Sequence, residues 1–134
     1  MTKLTIHSDG AARGNPGPAG AGAVIRDERG EVVAEVVRYL GETTNNQAEY
    51  KALIFALEEA MRLGATELAI YADSELMVKQ VRGEYKVKNE GIKPLHDEIR
   101  RALREIGRYT IEHLPRERNK EADKLANRAI DERC

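Results

Sequence analysis

Four carboxylates carry the chemistry this chain could do: Asp9, Glu49, Asp73 and Asp123. Asp9 ends an extended stretch, Lys3 to Ser8, and a run rich in glycine and proline, Gly10 to Gly22, follows at once. The other three acids lie in three later segments. Carboxylates without a matching histidine and cysteine set suit hard divalent ions, Mg2+ or Mn2+, and phosphate substrates. A phosphodiester is anionic, so bare acids would repel it. Two ions about 3.5–4 Å apart reverse that field, one activating a water and the other stabilising the leaving oxygen. Zinc is a poor match: His7 and His113 have only the terminal Cys134 to join them, and His96 opens a helix as a surface residue.

Each acid also has an ordinary reading. Asp9 before glycines is a turn former. Glu49 is the third residue after Asn46, the capping-box position if Asn46 caps a helix. It also shares a helix face with Leu53, Ala56 and Ala60, where a charge must be paired, hydrated or metal-bound. Asp73 follows the apolar run Leu68 to Ala72 and could cap the next helix, yet sites in α/β sheets favour such strand ends. Asp123 suits the first turn of a helix. Four such coincidences, each at an element end, weigh more than any one.

The elements that must position them follow from periodicity. Leu4 and Ile6 alternate with Thr5 and His7, a strand of period two. Gly14 to Pro18 reads as irregular, because proline removes donors and glycine tolerates positive φ. Ala21 to Arg26 and Val32 to Tyr39 are strands around a turn at Asp27 to Gly30, which makes the start a three-stranded antiparallel meander. A helix runs from an Asn46 cap to about Arg62 and is stopped by Gly64. Glu67 to Ala72 is a strand, and Ser74 to Val81 a short helix. Glu84 to Lys93 is polar and has no clear period. Leu95, Ile99, Leu103 and Ile106 stripe a helix that starts near Pro94. Arg108 to Leu114 is a fifth strand, Pro115 to Arg118 a loop, and Asn119 caps a last helix to about Asp131. The order βββ-α-β-α-α-β-α gives a mixed sheet with helices over its faces.

The 134 residues suffice for one domain, 1–134, with a real core. The formal charge of -1 announces no nucleic-acid partner, but Lys79 to Lys93 holds five basic and two acidic residues and could face phosphate. Its ordinary reading is a solvated helix end. The single cysteine allows no internal disulfide, and no stretch approaches a membrane span. A monomer in the cytoplasm is the expectation.

The motifs then carry a resemblance. Asp9-Gly10-Ala11 with Gly14 to Gly20, Thr44 to Glu49, Tyr71 to Ser74, and Asn119 to Ala126 resemble, in order and over essentially the whole chain, a type 1 ribonuclease H of the compact form without the basic handle insertion. The resemblance implies a ribonuclease H-like α/β fold. With the three-strand start and the helical crossovers it predicts five strands in the order 3-2-1-4-5, strand two alone antiparallel to its neighbours, and helices on both faces. It implies that Asp9, Glu49, Asp73 and Asp123 are both the catalytic acids and the ligands of two ions. The implied reaction is hydrolysis of the RNA strand of an RNA–DNA hybrid, leaving 5'-phosphate and 3'-hydroxyl ends. Double-stranded RNA stays open as a further substrate. Implied substrate contacts are Gly10, Asn15, Asn45, Asn46 and Ser74. Asparagines reading the ribose 2'-OH match the physical basis for telling RNA from DNA.

The chain departs from the family in three places. No histidine stands in the loop before the last acid; His113 falls in a strand, which leaves Arg116 and Arg118 as cations there. There is no tryptophan and no handle, so Tyr85, Lys86, Lys88 and Asn89 are the available substitutes. Glu75 stands where many relatives have glutamine. Two rivals belong to other classes. A binding domain with a dead site is disfavoured by the complete set of four acids. A haloacid-type phosphatase needs a second aspartate where Ala11 stands.

Overall fold

The computed structural model describes residues 2–134. Five strands form one sheet: β1 (Lys3–Ala12), β2 (Gly17–Arg26), β3 (Val32–Thr43), β4 (Glu67–Ala72) and β5 (Arg108–His113). Their order is β3-β2-β1-β4-β5, and β2 alone runs antiparallel to its neighbours, as expected. The helices are α1 (Asn45–Arg62), α2 (Glu75–Val81), α3 (Lys93–Ile106) and α4 (Lys120–Glu132). None among the described residues is long and apolar enough to cross a membrane.

The glycine-rich run is more regular than its composition suggests. β1 continues to Ala12 and β2 begins at Gly17, with Gly10 opposite Ala21 and Ala11 opposite Gly20. Only Arg13 to Pro16 turns, closed by a 2.8 Å bond from the Arg13 N–H to the Pro18 carbonyl. The reason for the small residues lies above and below the sheet. A Cβ on Gly10 would stand 2.1 Å from the Ala48 carbonyl carbon in α1. One on Gly22 would stand 2.3 Å from the Ala122 carbonyl oxygen in α4. Glycine is therefore demanded here by close helix approach.

Most of the core lies between the sheet and α1, α2 and α3, with Ile6, Ile25, Leu53, Leu57, Ile70 and Ile99 fully enclosed. Ala11, Ala126 and Ile130 form a smaller cluster under α4. The α3 stripe holds through Ile99, Leu103 and Ile106, while Leu95 is half-buried and Ile92 fills the space before the helix.

Three local expectations change. The cap of α1 is Thr44, whose hydroxyl accepts from the Gln47 N–H at 3.1 Å, so Asn46 is not the cap and Glu49 is not in a capping box. Arg116–Arg118 is a turn of 3-10 helix, not an open loop. Asn119 precedes α4 without capping it by its side chain.

Replacing Gly22 by alanine drives a methyl into α4 backbone. It should cost about 3 kcal/mol, at the upper end of overpacking effects, or prevent folding outright. Urea unfolding of Gly22→Ala measures it, and an unchanged midpoint would contradict the packing.

Candidate active site

Asp9 lies in β1 in register with Gly22, one residue past the Ser8–Ala72 pair, and Asp73 follows β4 directly. Two parallel neighbouring strands thus place two acids side by side. Glu49 reaches them from the buried face of α1, one turn in, above the missing side chain of Gly10. Its Oε1 accepts from the Gly10 N–H. One carboxylate oxygen from each of Asp9, Glu49 and Asp73 lies within 4.8 Å of the others. Asp123 stands outside that group. It is half-buried on α4, and its Oδ1 accepts from the Asn127 amide at 3.3 Å.

The acids are enclosed as well as crowded. Asp9 and Glu49 are each only 4% exposed. Burial pushes the Asp9 carboxyl up to about 11, with the Glu49 charge next in importance and Asp73 and Asp123 adding to it. Burial also raises Glu49, to about 8, although bonding to Asp9 and to the Gly10 N–H favours its charged form. Asp9 Oδ2 is buried with no hydrogen-bond partner. Three convergent carboxylates, one with an unpartnered oxygen, fit a bound divalent cation by charge, donor type and spacing.

Asn119 is the residue that sequence reasoning misses. It is 2% exposed, and its amide donates to the Ser8 carbonyl at 2.9 Å and to Asp73 Oδ2 at 3.3 Å. It ties the end of β1 to the acid after β4. Its place four residues before Asp123 mimics a helix cap, which hides the role. His96 is not the surface residue expected either. It is half-buried, with Nε2 3.0 Å from the Gln80 carbonyl. Burial, then Arg26, lowers the His7 pKa, and its ring stacks on Tyr71.

The remaining candidates surround the acids unevenly. Gly10 is buried, its N–H committed to Glu49. Asn15 is exposed at the β1–β2 turn, where its Oδ1 accepts from the Asn45 N–H at 3.0 Å. The Asn45 side chain is exposed and that of Asn46 half-buried beside it. Ser74 caps α2 by accepting from the Met77 N–H at 3.2 Å. Glu75 is exposed on the first turn of α2, 4.0 Å from Lys79. Lys86 and Lys88 are exposed between α2 and α3, and Arg116 and Arg118 on the 3-10 turn.

The raised acids fix a pH dependence. Both bind a proton more tightly folded than unfolded, so their contribution to stability is whole below the ordinary carboxylate range near pH 4. It is lost as pH rises through about 8 for Glu49 and about 11 for Asp9. In EDTA the melting temperature should fall between about pH 5 and about pH 9. Asp9→Asn should flatten that slope and melt about 5 °C or more above the parent at the alkaline end. Parallel slopes for parent and variant would contradict the repulsion.

Comparison with known proteins bears on the family and the fold. The family described as reverse transcriptase-like matches residues 7–129. The bifunctional protein Rv2228c of Mycobacterium tuberculosis is 45% identical over 130 residues, 96% of this chain. The chain spans only 36% of that protein's length. Its N-terminal RNase H domain, solved as a fusion with maltose-binding protein, superposes with a TM-score of 0.93 at 44% identity, covering 96% of this chain and 98% of that one. RNase H1 of the halophilic archaeon Halobacterium salinarum gives 0.94 at 40% identity, covering 97% and 98%. LC11-RNase H1, isolated from compost by a metagenomic approach and crystallised with an RNA/DNA hybrid, gives 0.92 at 46% identity, covering 96% and 97%. Likeness of this depth along nearly the whole chain, on a sheet of the expected order, means that it belongs to the ribonuclease HI family of the ribonuclease H-like superfamily.

Proposed function

We propose that this chain is a metal-dependent endonuclease that hydrolyses the RNA strand of RNA–DNA hybrids. The observation that carries the reading is the convergence of Asp9, Glu49 and Asp73 within 4.8 Å. The family supports it, and so does the relative crystallised with an RNA/DNA hybrid. Asp9, Glu49 and Asp73 would hold Mg2+ or Mn2+, with Asp123 completing the set from the margin. The bound ions supply neutralisation of the phosphate, an activated water and a stabilised leaving oxygen. In the balanced reaction a water oxygen bonds to phosphorus, the bond from phosphorus to the ribose 3' oxygen breaks, and that oxygen leaves as a hydroxyl. The 5'-phosphate stays on the downstream fragment.

The chain's own residues then orient the RNA. The Glu49 Oε1 is engaged by the Gly10 N–H, which leaves Oε2 free of that bond to accept from a ribose 2'-OH or serve as a ligand. Asn15, and Asn45 and Asn46 at the start of the helix that carries Glu49, supply amide groups that both donate and accept. The bond from the Asn45 N–H to Asn15 joins the hairpin turn to that helix, so sugar reading and acid placement share one frame. Ser74 stands one residue after Asp73. Lys86 and Lys88, between α2 and α3, offer phosphate contacts, as do Arg116 and Arg118 on the 3-10 turn after β5.

A cleavage panel on end-labelled RNA–DNA hybrid, double-stranded RNA and double-stranded DNA, with Mg2+, Mn2+ or EDTA, tests the proposal. Ion-dependent cutting confined to the RNA strand of the hybrid is the expected result; no cutting would sink it. Asp9→Asn and Asp73→Asn should each lower the rate about a thousandfold, roughly 4 kcal/mol of barrier. Asp123→Asn should be milder, because that acid lies outside the close group.

Because Thr44 supplies the cap, helix capping and substrate reading fall on different residues. Asn45→Ala keeps the backbone N–H that meets Asn15, so its melting temperature should stay near the parent's while kcat/KM on the hybrid drops. Thr44→Ala should instead cost about 1 kcal/mol of stability. Early melting of Asn45→Ala with normal cleavage would remove Asn45 from substrate reading. Neutralising Lys86 and Lys88 together should weaken hybrid binding for every sequence and lower the salt slope by up to about two units.

A further inference from the structure

Away from the acids, the segment after α2 and the outer face of α3 enclose a groove of about 870 Å³. Lys86, Lys93, Arg100, Arg101 and Arg104 line it, against one acid, Asp97. That balance contrasts with a chain whose formal charge is -1. On α3, Arg100 and Arg101 stand four and three residues before Arg104, and Lys93 stands two turns before Arg100, so all four share one side of the helix. Arg100 is engaged with the Val81 carbonyl at 3.1 Å and Lys93 with Glu90 at 3.4 Å. Arg101 and Arg104 are exposed and carry no ion pair among the described residues.

Two large aromatic rings also line this groove while open to solvent, Tyr85 at 51% and Tyr109 at 38% exposure. Lys79 stands 5.1 Å over one face of Tyr85. Tyr109 pairs with Leu68, five residues before Asp73 along β4, so that part of the groove lies roughly 17 Å from the acids at strand spacing. Of the residues that line it, only Lys86 is also among the proposed contacts to the hybrid.

Cations that follow a backbone, with aromatic faces between them, are the means by which unpaired strands are bound. A duplex hides its base faces in its own stack; only an unpaired strand offers them to tyrosine. We propose that this groove binds a single-stranded extension of nucleic acid, with Arg101 and Arg104 on phosphates and Tyr109 stacked on a base. The inference takes from the proposed nuclease activity only the source of the strand, a tail continuous with the hybrid being cut.

The test uses the full chain in EDTA and a short labelled oligothymidylate, followed by fluorescence anisotropy across a salt series. The pair Arg101→Glu and Arg104→Glu should weaken binding about tenfold or more and lower the salt slope by about 1.4, the loss of two contacts on a single strand. Tyr109→Ala should weaken it about tenfold with the slope unchanged. The milder pair Arg101→Gln and Arg104→Gln keeps the measurement valid if charge reversal disturbs folding. The parent should show a lower KM on a tailed hybrid than on a blunt one; all three variants should lose that difference while cutting the blunt hybrid within about twofold of the parent. Variants that bind oligothymidylate like the parent, or a blunt DNA duplex that competes as well as the single strand, would overturn the proposal. A parent that binds oligothymidylate in an arginine-dependent way but cuts no hybrid would overturn the nuclease reading and leave this one standing.

Discussion

The constraint on which the rest depends is the absence of side chains at two points of the central hairpin. Gly10 and Gly22 let α1 and α4 come against opposite faces of the same strand pair. Neither helix could be nearer without losing van der Waals contact to overlap, and neither could be farther without moving its acid away from Asp9. Packing and site geometry are therefore one problem here. The small core cluster of Ala11, Ala126 and Ile130 reflects the same closeness, since the sheet sets only Ala11 and the bare Gly20 and Gly22 against α4 there.

A second level of organisation is polar and buried. The Tyr50 hydroxyl donates to Gln80 Oε1 at 2.5 Å, and the Gln80 amide donates to the Lys86 carbonyl at 3.3 Å. The Gln80 carbonyl lies 3.0 Å from His96 Nε2. This chain of bonds joins α1, beside Glu49, to the lysine-bearing segment and to α3. Satisfied polar networks in a low-dielectric interior fix relative orientation more strictly than apolar contacts do. A segment with no helix or strand of its own is thereby held at a set place relative to the acids.

Much of this was legible in the residues. The alternation of Leu4 and Ile6 stops at Asp9, and the apolar run Leu68 to Ala72 stops at Asp73, so both strand ends could be read and their adjacency followed from the helical crossover between them. Glu49 was legible from its face, shared with Leu53 and Ala56. The antiparallel pairing of the first strands was legible too, but not its continuation through Ala12 and back from Gly17. Glycine and alanine have poor strand propensity, and their use here answers helices that come later in the chain. The cap of α1 misleads for a related reason: Thr44, Asn45 and Asn46 are all good caps, and only tertiary contacts show which one is used. Asn119 is hidden because its partners, Ser8 and Asp73, are distant in sequence.

The crowded acids have a consequence for how such a chain can change over time. A buried cluster of like charges works against the fold that holds it. Substitutions that remove a charge there are among the easiest routes to a sturdier protein, and drift guided by stability alone would take them. Sturdiness and an intact acid cluster are then opposed quantities in this fold. An unusually heat-resistant descendant would invite a look first at whether Asp9 had survived.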